Sequence, residues 1–173
     1  MTQSMSRCVV ITGASTGIGA GCAIGCAQQG MTVFAGVRDL RAGEALQAKG
    51  GATIIPLQLD VTDGDSIKQA AEIVEQRVGA ARLAGLVNNA GISIGSPLEV
   101  IPLAQLRKQL EVNVIGQIAV TQAFLPLLRR ALECRLAECH GVARPPDSSL
   151  QAHVPGRPTA ASRSPPRVSP PAA

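Results

Sequence analysis

The 173-residue chain has no tryptophan and no tyrosine, and only two phenylalanines. Its core must therefore be built from Val, Ile, Leu and Ala, and no step that needs a tyrosine hydroxyl is open to it. The Arg/Pro/Ser run near the C-terminal end has no interleaved aromatics on which single-stranded nucleic acid could stack. No uninterrupted apolar run approaches the about 18 residues of a membrane-spanning helix, and the opening MTQSMSR leads into a strand with no apolar leader. Five cysteines (8, 22, 26, 134 and 139) make no even disulfide framework, which fits a reducing compartment. The expectation is a cytoplasmic protein with no membrane and no nucleic-acid partner.

The net charge of +4 is local. Residues 1–128 carry nine Lys and Arg against nine Asp and Glu, whereas residues 129–173 carry seven Arg, no Lys and three acids. Eight of the twelve prolines lie in 145–171. Such a composition cannot bury enough apolar surface to offset chain entropy, so a domain over 1–133 and a disordered Pro/Arg-rich tail over 134–173 are expected. The abrupt switch after Arg130 resembles coding sequence read in a shifted frame or through an alternative exon. Cys134, Cys139 and His140 supply three soft groups with no fourth, so no metal site is expected.

Before the tail, strand and helix alternate. Apolar runs at Cys8–Thr12, Thr32–Gly36, Thr53–Gln58 and Leu83–Val87 read as buried strands. Helical periods fill Gly17–Gln29, Leu40–Lys49 and the stretch capped by Thr62 or Asp63 that runs to Val78. A long helix begins near Pro102 and runs toward Leu128, with Pro126 marking a kink or late turn. This rhythm implies an α/β fold, a Rossmann-like doubly wound parallel sheet, incomplete at about four strands. The fourth strand would then be an unpaired edge.

The turn Thr12-Gly13-Ala14-Ser15-Thr16-Gly17-Ile18-Gly19 joins the first strand to the first helix. Glycines there let the backbone turn sharply toward a pyrophosphate, and the helix N-terminus offers unpaired N–H groups to it. With Asp60-Val61-Thr62, Asn88-Asn89-Ala90-Gly91 and Val112-Asn113-Val114 in this order, residues 7–130 resemble the short-chain dehydrogenase/reductase family.

The resemblance implies a dinucleotide cofactor. Gly13, Ser15, Gly17, Ile18 and Gly19 would line the pyrophosphate, Asp60 and Val61 would flank the adenine, and Asn88 and Ala90 would lie against the ribose and the nicotinamide half. Asn88 would equally serve to brace the sheet. At the end of the second strand an acid binds a ribose 2′-hydroxyl and a base a 2′-phosphate. Val37 stands where NAD-preferring relatives tend to carry the acid, so Arg38 favours NADP over NAD, although Arg38 and Asp39 also fit a solvated helix entry.

Asn113 matches the family's first catalytic residue; read alone, a mid-helix Asn more often bonds nearby backbone. Its partners are missing, because the family pairs a tyrosine with a lysine four residues on and a serine. This chain has no Tyr, its last Lys is Lys108, and Ser148 and Ser149 lie in a proline-rich run. The family's chemistry is hydride transfer between NADP(H) and a carbonyl or alcohol, and a chain without the acid/base pair would not perform it alone. A noncatalytic nucleotide- or partner-binding fragment and a nonfunctional truncated product are the alternatives. The resemblance also implies homo-oligomer formation through helix 102–130.

Overall fold

The computed structural model describes residues 7–79, 82–131 and 134–139. The rest of the tail, with its expected disorder and His140, lies outside the described residues. The described chain runs β1 (Arg7–Ile11), α1 (Gly17–Gln28), β2 (Thr32–Val37), α2 (Leu40–Gly50), β3 (Ile54–Gln58), α3 (Gly64–Val78), β4 (Arg82–Asn88), α4 (Leu103–Leu110), a π-helical segment (Glu111–Gly116), α5 (Gln117–Arg129) and β5 (Arg135–Glu138).

All strand pairings are parallel, in the order β3-β2-β1-β4-β5. The sheet is the expected doubly wound α/β type, with one correction: among the described residues it has five strands rather than four, so β4 is not the unpaired edge that was expected. Residues 135–138, on the tail side of the boundary expected at 133, pair with Gly85–Asn88, and Cys139 N–H continues the ladder to the Asn88 carbonyl at 3.0 Å. The sequence hid this strand because all four of its residues, Arg-Leu-Ala-Glu, are exposed. Backbone hydrogen bonds make it, and no apolar pattern announces it.

Strand periodicity sorts the core into two layers. Cys8, Val10, Phe34, Leu57, Leu83 and Leu86 pack with Ile67, Ala70 and Val74 of α3 and Val120, Phe124, Leu127 and Leu128 of α5. Val9, Ile11, Val33, Ala35 and Ile54 face the other way, onto Ala23 of α1 and Leu46 of α2. Local signals set the helix starts. Asp39 caps α2 by accepting from Arg41 N–H at 3.0 Å, and Asp63, rather than Thr62, caps α3 by accepting from Asp65 and Ser66 N–H at 2.9 and 3.2 Å.

The long helix expected from Pro102 is three pieces. Its π-helical segment at 111–116 was not legible as a change of period, and α5 passes through Pro126 to end three residues later at Arg129. A proline so close to a helix end disturbs only the last turn. By length and composition alone, Leu103–Arg129 could cross a membrane. Here its sheet-facing side chains Val120, Phe124, Leu127 and Leu128 are buried, while Leu110, Val114, Ile115 and Ile118 are exposed.

Candidate functional site

The chain leaves β1 toward β2 on one side and enters β5 from β4 on the other, so strand order reverses between β1 and β4. In open parallel sheets the crevice beyond the C-terminal strand ends at such a reversal is where ligands bind. A groove of about 1050 Å³ lies there. Gly13, Ser15, Gly17, Ile18, Arg38, Asp60, Val61, Ala90 and Asn113 all line it. Two of the residues expected at the site, Gly19 and Asn88, are not on its wall.

Gly19 sits behind the turn. A Cβ there would collide with the Gly13 carbonyl and the Asn89 amide, so the helix packs against the turn only if this residue has no side chain. Gly13 is held at φ +62°, and a Cβ on it would stand 2.7 Å from the Ala90 Cα. These close approaches bring the backbone of the turn to the end of β4. The first turn of α1 has no side-chain cap and no acid, so its N–H groups are available to an anion.

Thr12 ties the two strand ends together. Its Oγ1 accepts from Asn89 and Ala90 N–H, both at 2.9 Å, and donates to the Val87 carbonyl at 3.4 Å. Thr12→Val keeps the shape and leaves two partly buried N–H groups without their acceptor. The expected loss is about 1–3 kcal/mol of unfolding free energy, measured as a lower denaturant midpoint at unchanged slope. An unaffected midpoint would mean that the hub is dispensable.

Asn88 points away from the groove. It is buried and its Nδ2 donates to Thr121 Oγ1 at 2.8 Å, while Oδ1 has no partner among the described residues. Of its two expected roles, this geometry is that of a brace between β4 and α5. Its neighbour Asn89, missed in the sequence, lines the groove instead and donates from Nδ2 to the carbonyls of Thr12 and Gly13 at 2.9 and 3.0 Å. Strand alternation separates the two side chains, and knowledge of which strand residues face α5 would have assigned them.

Three amides spaced four residues apart fasten the segment after β4. Gln109 Oε1 accepts from Ile94 N–H at 2.7 Å, and Gln117 Nε2 donates to the Ala90 carbonyl at 3.1 Å. Asn113 makes both bonds to Ile92, accepting from its N–H at 2.9 Å and donating to its carbonyl at 2.8 Å. Asn113 lies within the π-helical segment, a local widening often found at functional sites. Its side chain is thus engaged with backbone, and its place on the groove wall is set by that bond pair. The Gln-Asn-Gln spacing was the sequence signal for this face.

The charges at the groove divide in the same way. Asp39 is turned to its cap on α2, whereas Arg38 is exposed on the groove wall. Asp60 accepts from Thr62 N–H and Oγ1 at 2.9 and 2.7 Å. The backbone bond from Thr62 outweighs desolvation and, with the Thr62 hydroxyl and nearby Arg38, holds the carboxyl below its ordinary range. Asp60 is therefore ionised at neutral pH and fixed as a turn. Among the described residues no His, Cys, Asp and Glu cluster could hold a metal ion.

A family model described as short chain dehydrogenase matches residues 7–136. The 3-amino-tetrahydro-pyrrolizinone reductase of Xenorhabdus hominickii is 41% identical over 125 residues, covering 72% of this chain and 42% of that protein. Estradiol 17-beta-dehydrogenase 2 of Mus musculus is 40% identical over 129 residues, covering 72% and 34%. The chain thus spans less than half the length of either. Among solved structures, a short-chain dehydrogenase from Streptomyces avermitilis superposes with a TM-score of 0.71 at 32% identity, covering 77% of this chain and 48% of that one. The 3-ketoacyl-(acyl-carrier-protein) reductase of Brucella melitensis, complexed with NADH, gives 0.72 at 26% identity, covering 78% and 57%.

Proposed function

Since the chain belongs to the short-chain dehydrogenase family, we propose that it binds a nicotinamide dinucleotide in the groove between β1 and β4, prefers NADP(H), and does not turn over a substrate by itself. The observation that carries this reading is the convergence of the Gly13–Ile18 turn, Arg38, Asp60-Val61 and Ala90 on one groove.

The residues fit such a group. Nothing lies within 4 Å of where a Cβ on Gly17 would stand, so the backbone is open at the uncapped start of α1. A pyrophosphate there accepts hydrogen bonds from that helix's free N–H groups. Gly36, Val37 and Arg38 end β2 on the groove, where the ribose of the adenine half belongs in a doubly wound sheet. Val37 is buried and Asp39 is committed to α2, so the polar group left to meet a 2′ substituent is the Arg38 guanidinium. A guanidinium favours a phosphate over a hydroxyl.

The bound dinucleotide would supply a hydride donor or acceptor at its nicotinamide. For a carbonyl reduction the chain would also have to deliver a proton within hydrogen-bond reach of the carbonyl oxygen. No tyrosine exists to do so, and Asn113 is bonded to Ile92 through both ends of its amide. Oxidoreductase chemistry with a carbonyl or alcohol is therefore a property of the family that this chain would need another chain's acid/base pair to express. A cytoplasmic location, in keeping with five free cysteines, belongs to the same proposal.

Calorimetric titration of the purified chain with NADPH and NADH, run beside a carbonyl-reduction assay, tests this directly. Saturable binding with about tenfold preference for NADPH, corresponding to about 1.4 kcal/mol, and no oxidation of the cofactor is the expected result. Absence of binding by a folded chain would refute the groove, and turnover would refute the claim of incompetence.

A further inference from the structure

The parallel strands all run one way and the helices between them run back, so the strand starts and the ends of α1, α2, α3 and α5 share the end of the molecule opposite the dinucleotide groove. Positive charge collects at that foot. β1, β4 and β5 each begin on an arginine: Arg7, Arg82 and Arg135. The last turns of α2, α3 and α5 carry Lys49, Arg77 and Arg129, and Arg130 follows α5. These make seven of the twelve Lys and Arg among the described residues. Of the ten described acids none starts a strand, and only Glu75 lies in the last turn of one of these helices, where it pairs with Arg130 at 2.7 Å. Glu133, between α5 and β5, lies outside the described residues.

Cations at a helix C-terminus are stabilised by the helix dipole and need no other partner. The strand arginines have no such reason. Arg7 and Arg82 are partners in the register of β1 and β4, so both side chains stand on one face of the sheet, where their charges repel. Arg135 shares that face: it pairs with Gly85, which pairs with Val9, two residues along from Arg7. None of the three makes an ion pair with a described residue. Arg7 and Arg135 are exposed and Arg82 is half-buried.

We infer that this foot is a docking face for an anionic lipid surface, such as a bilayer leaflet that carries phosphatidylserine. Its cations come from three strands and three helices, and none of them lines the dinucleotide groove. They are spread across the end of the sheet, where a planar surface of opposite sign meets them together and a small anion would meet two or three. Both phenylalanines are buried in the core, so the foot has no aromatic on which a base could stack. The expectation of no membrane partner rested on the lack of a long apolar run, which bears on insertion and not on attachment by charge. Docked in this way the protein turns its dinucleotide groove away from the bilayer, and the two sites are independent.

The test sediments the full chain with vesicles of equal parts phosphatidylserine and phosphatidylcholine, and with vesicles of phosphatidylcholine alone. Binding to the first and not to the second is expected, and its loss at about 1 M salt, where the screening length is about 3 Å. Each cation near an anionic surface contributes about fivefold, so Arg7→Gln, Arg82→Gln and Arg135→Gln combined should weaken binding by about 100-fold with an unchanged circular dichroism spectrum. The same change at Arg144, Arg157, Arg163 and Arg167 should weaken it less, because the chain passes toward them at Cys139, on the groove. With the unsubstituted chain, vesicles should slow amide exchange at residues 77–79 and 129–131 and leave the Gly13–Ile18 turn as it was. That footprint decides the question even where the triple variant fails to fold. No binding, equal binding to both vesicles, a loss from the second variant as large as from the first, a footprint on the Gly13–Ile18 turn, or tighter binding to a duplex oligonucleotide at the same salt would each overturn the assignment.

Discussion

Phe124→Ala is expected to lower the unfolding free energy by about 3–5 kcal/mol, the cost of emptying a large aromatic site in a packed core. Phe124 is fully buried on α5 and is one of only two aromatic side chains in the chain. It fills the layer between the sheet and the helices together with Val10, Leu83, Leu86 and Val120. The small aliphatics around it cannot reach across the space it would leave. Small domains keep about 5–15 kcal/mol in total, so this single change removes about a fifth of that or more. A denaturant titration would show a lower midpoint, and a loss under about 1 kcal/mol would mean that α5 is not seated on the sheet.

Arg38→Glu is expected to weaken NADPH binding by about 10–100-fold while changing NADH binding only a few-fold. The first effect follows from replacing a charge-assisted phosphate contact of about 1.5–3 kcal/mol with a repulsive carboxylate. The second follows because a carboxylate at this position can accept from a ribose 2′-hydroxyl. Arg38 is exposed, so the penalty should shrink as salt is raised. Equal weakening of both cofactors would place the 2′ substituent elsewhere and remove the basis for an NADP preference.

Much of this molecule was legible before its structure. The apolar runs Cys8–Thr12, Thr32–Gly36 and Thr53–Gln58 announced buried parallel strands to within a residue at their C-terminal ends, and Thr62-Asp63 marked the start of α3, whereas the cap that Asp39 provides to α2 was read only as a solvated helix entry. The turn at Gly13–Gly19 was legible as a site because each glycine answers a steric demand. Other features carry no such signature. β5 exposes every side chain, so nothing in Arg-Leu-Ala-Glu betrays it. The division of labour between Asn88 and Asn89 depends on which residues of β4 face α5, and two adjacent identical residues cannot reveal that. The π-helical segment is invisible because its Glu-Val-Asn-Val-Ile-Gly sequence continues an ordinary helical pattern.

The two borders of the sheet are not equivalent. At β3, Leu59 N–H reaches inward to the Val37 carbonyl, so by the two-residue period Pro56 faces outward, where it has no N–H to offer. The outward carbonyl of Ile54 is already taken by Gln47 Nε2 at 2.7 Å. That border is closed to another strand. Among the described residues β5 is the other border, and its Arg-Leu-Ala-Glu sequence contains no proline. A sheet closed on one side cannot polymerise by stacking border to border: two copies meeting at β5 would present only proline-blocked margins to a third. Strand addition at β5, were it to occur, would therefore stop at two copies.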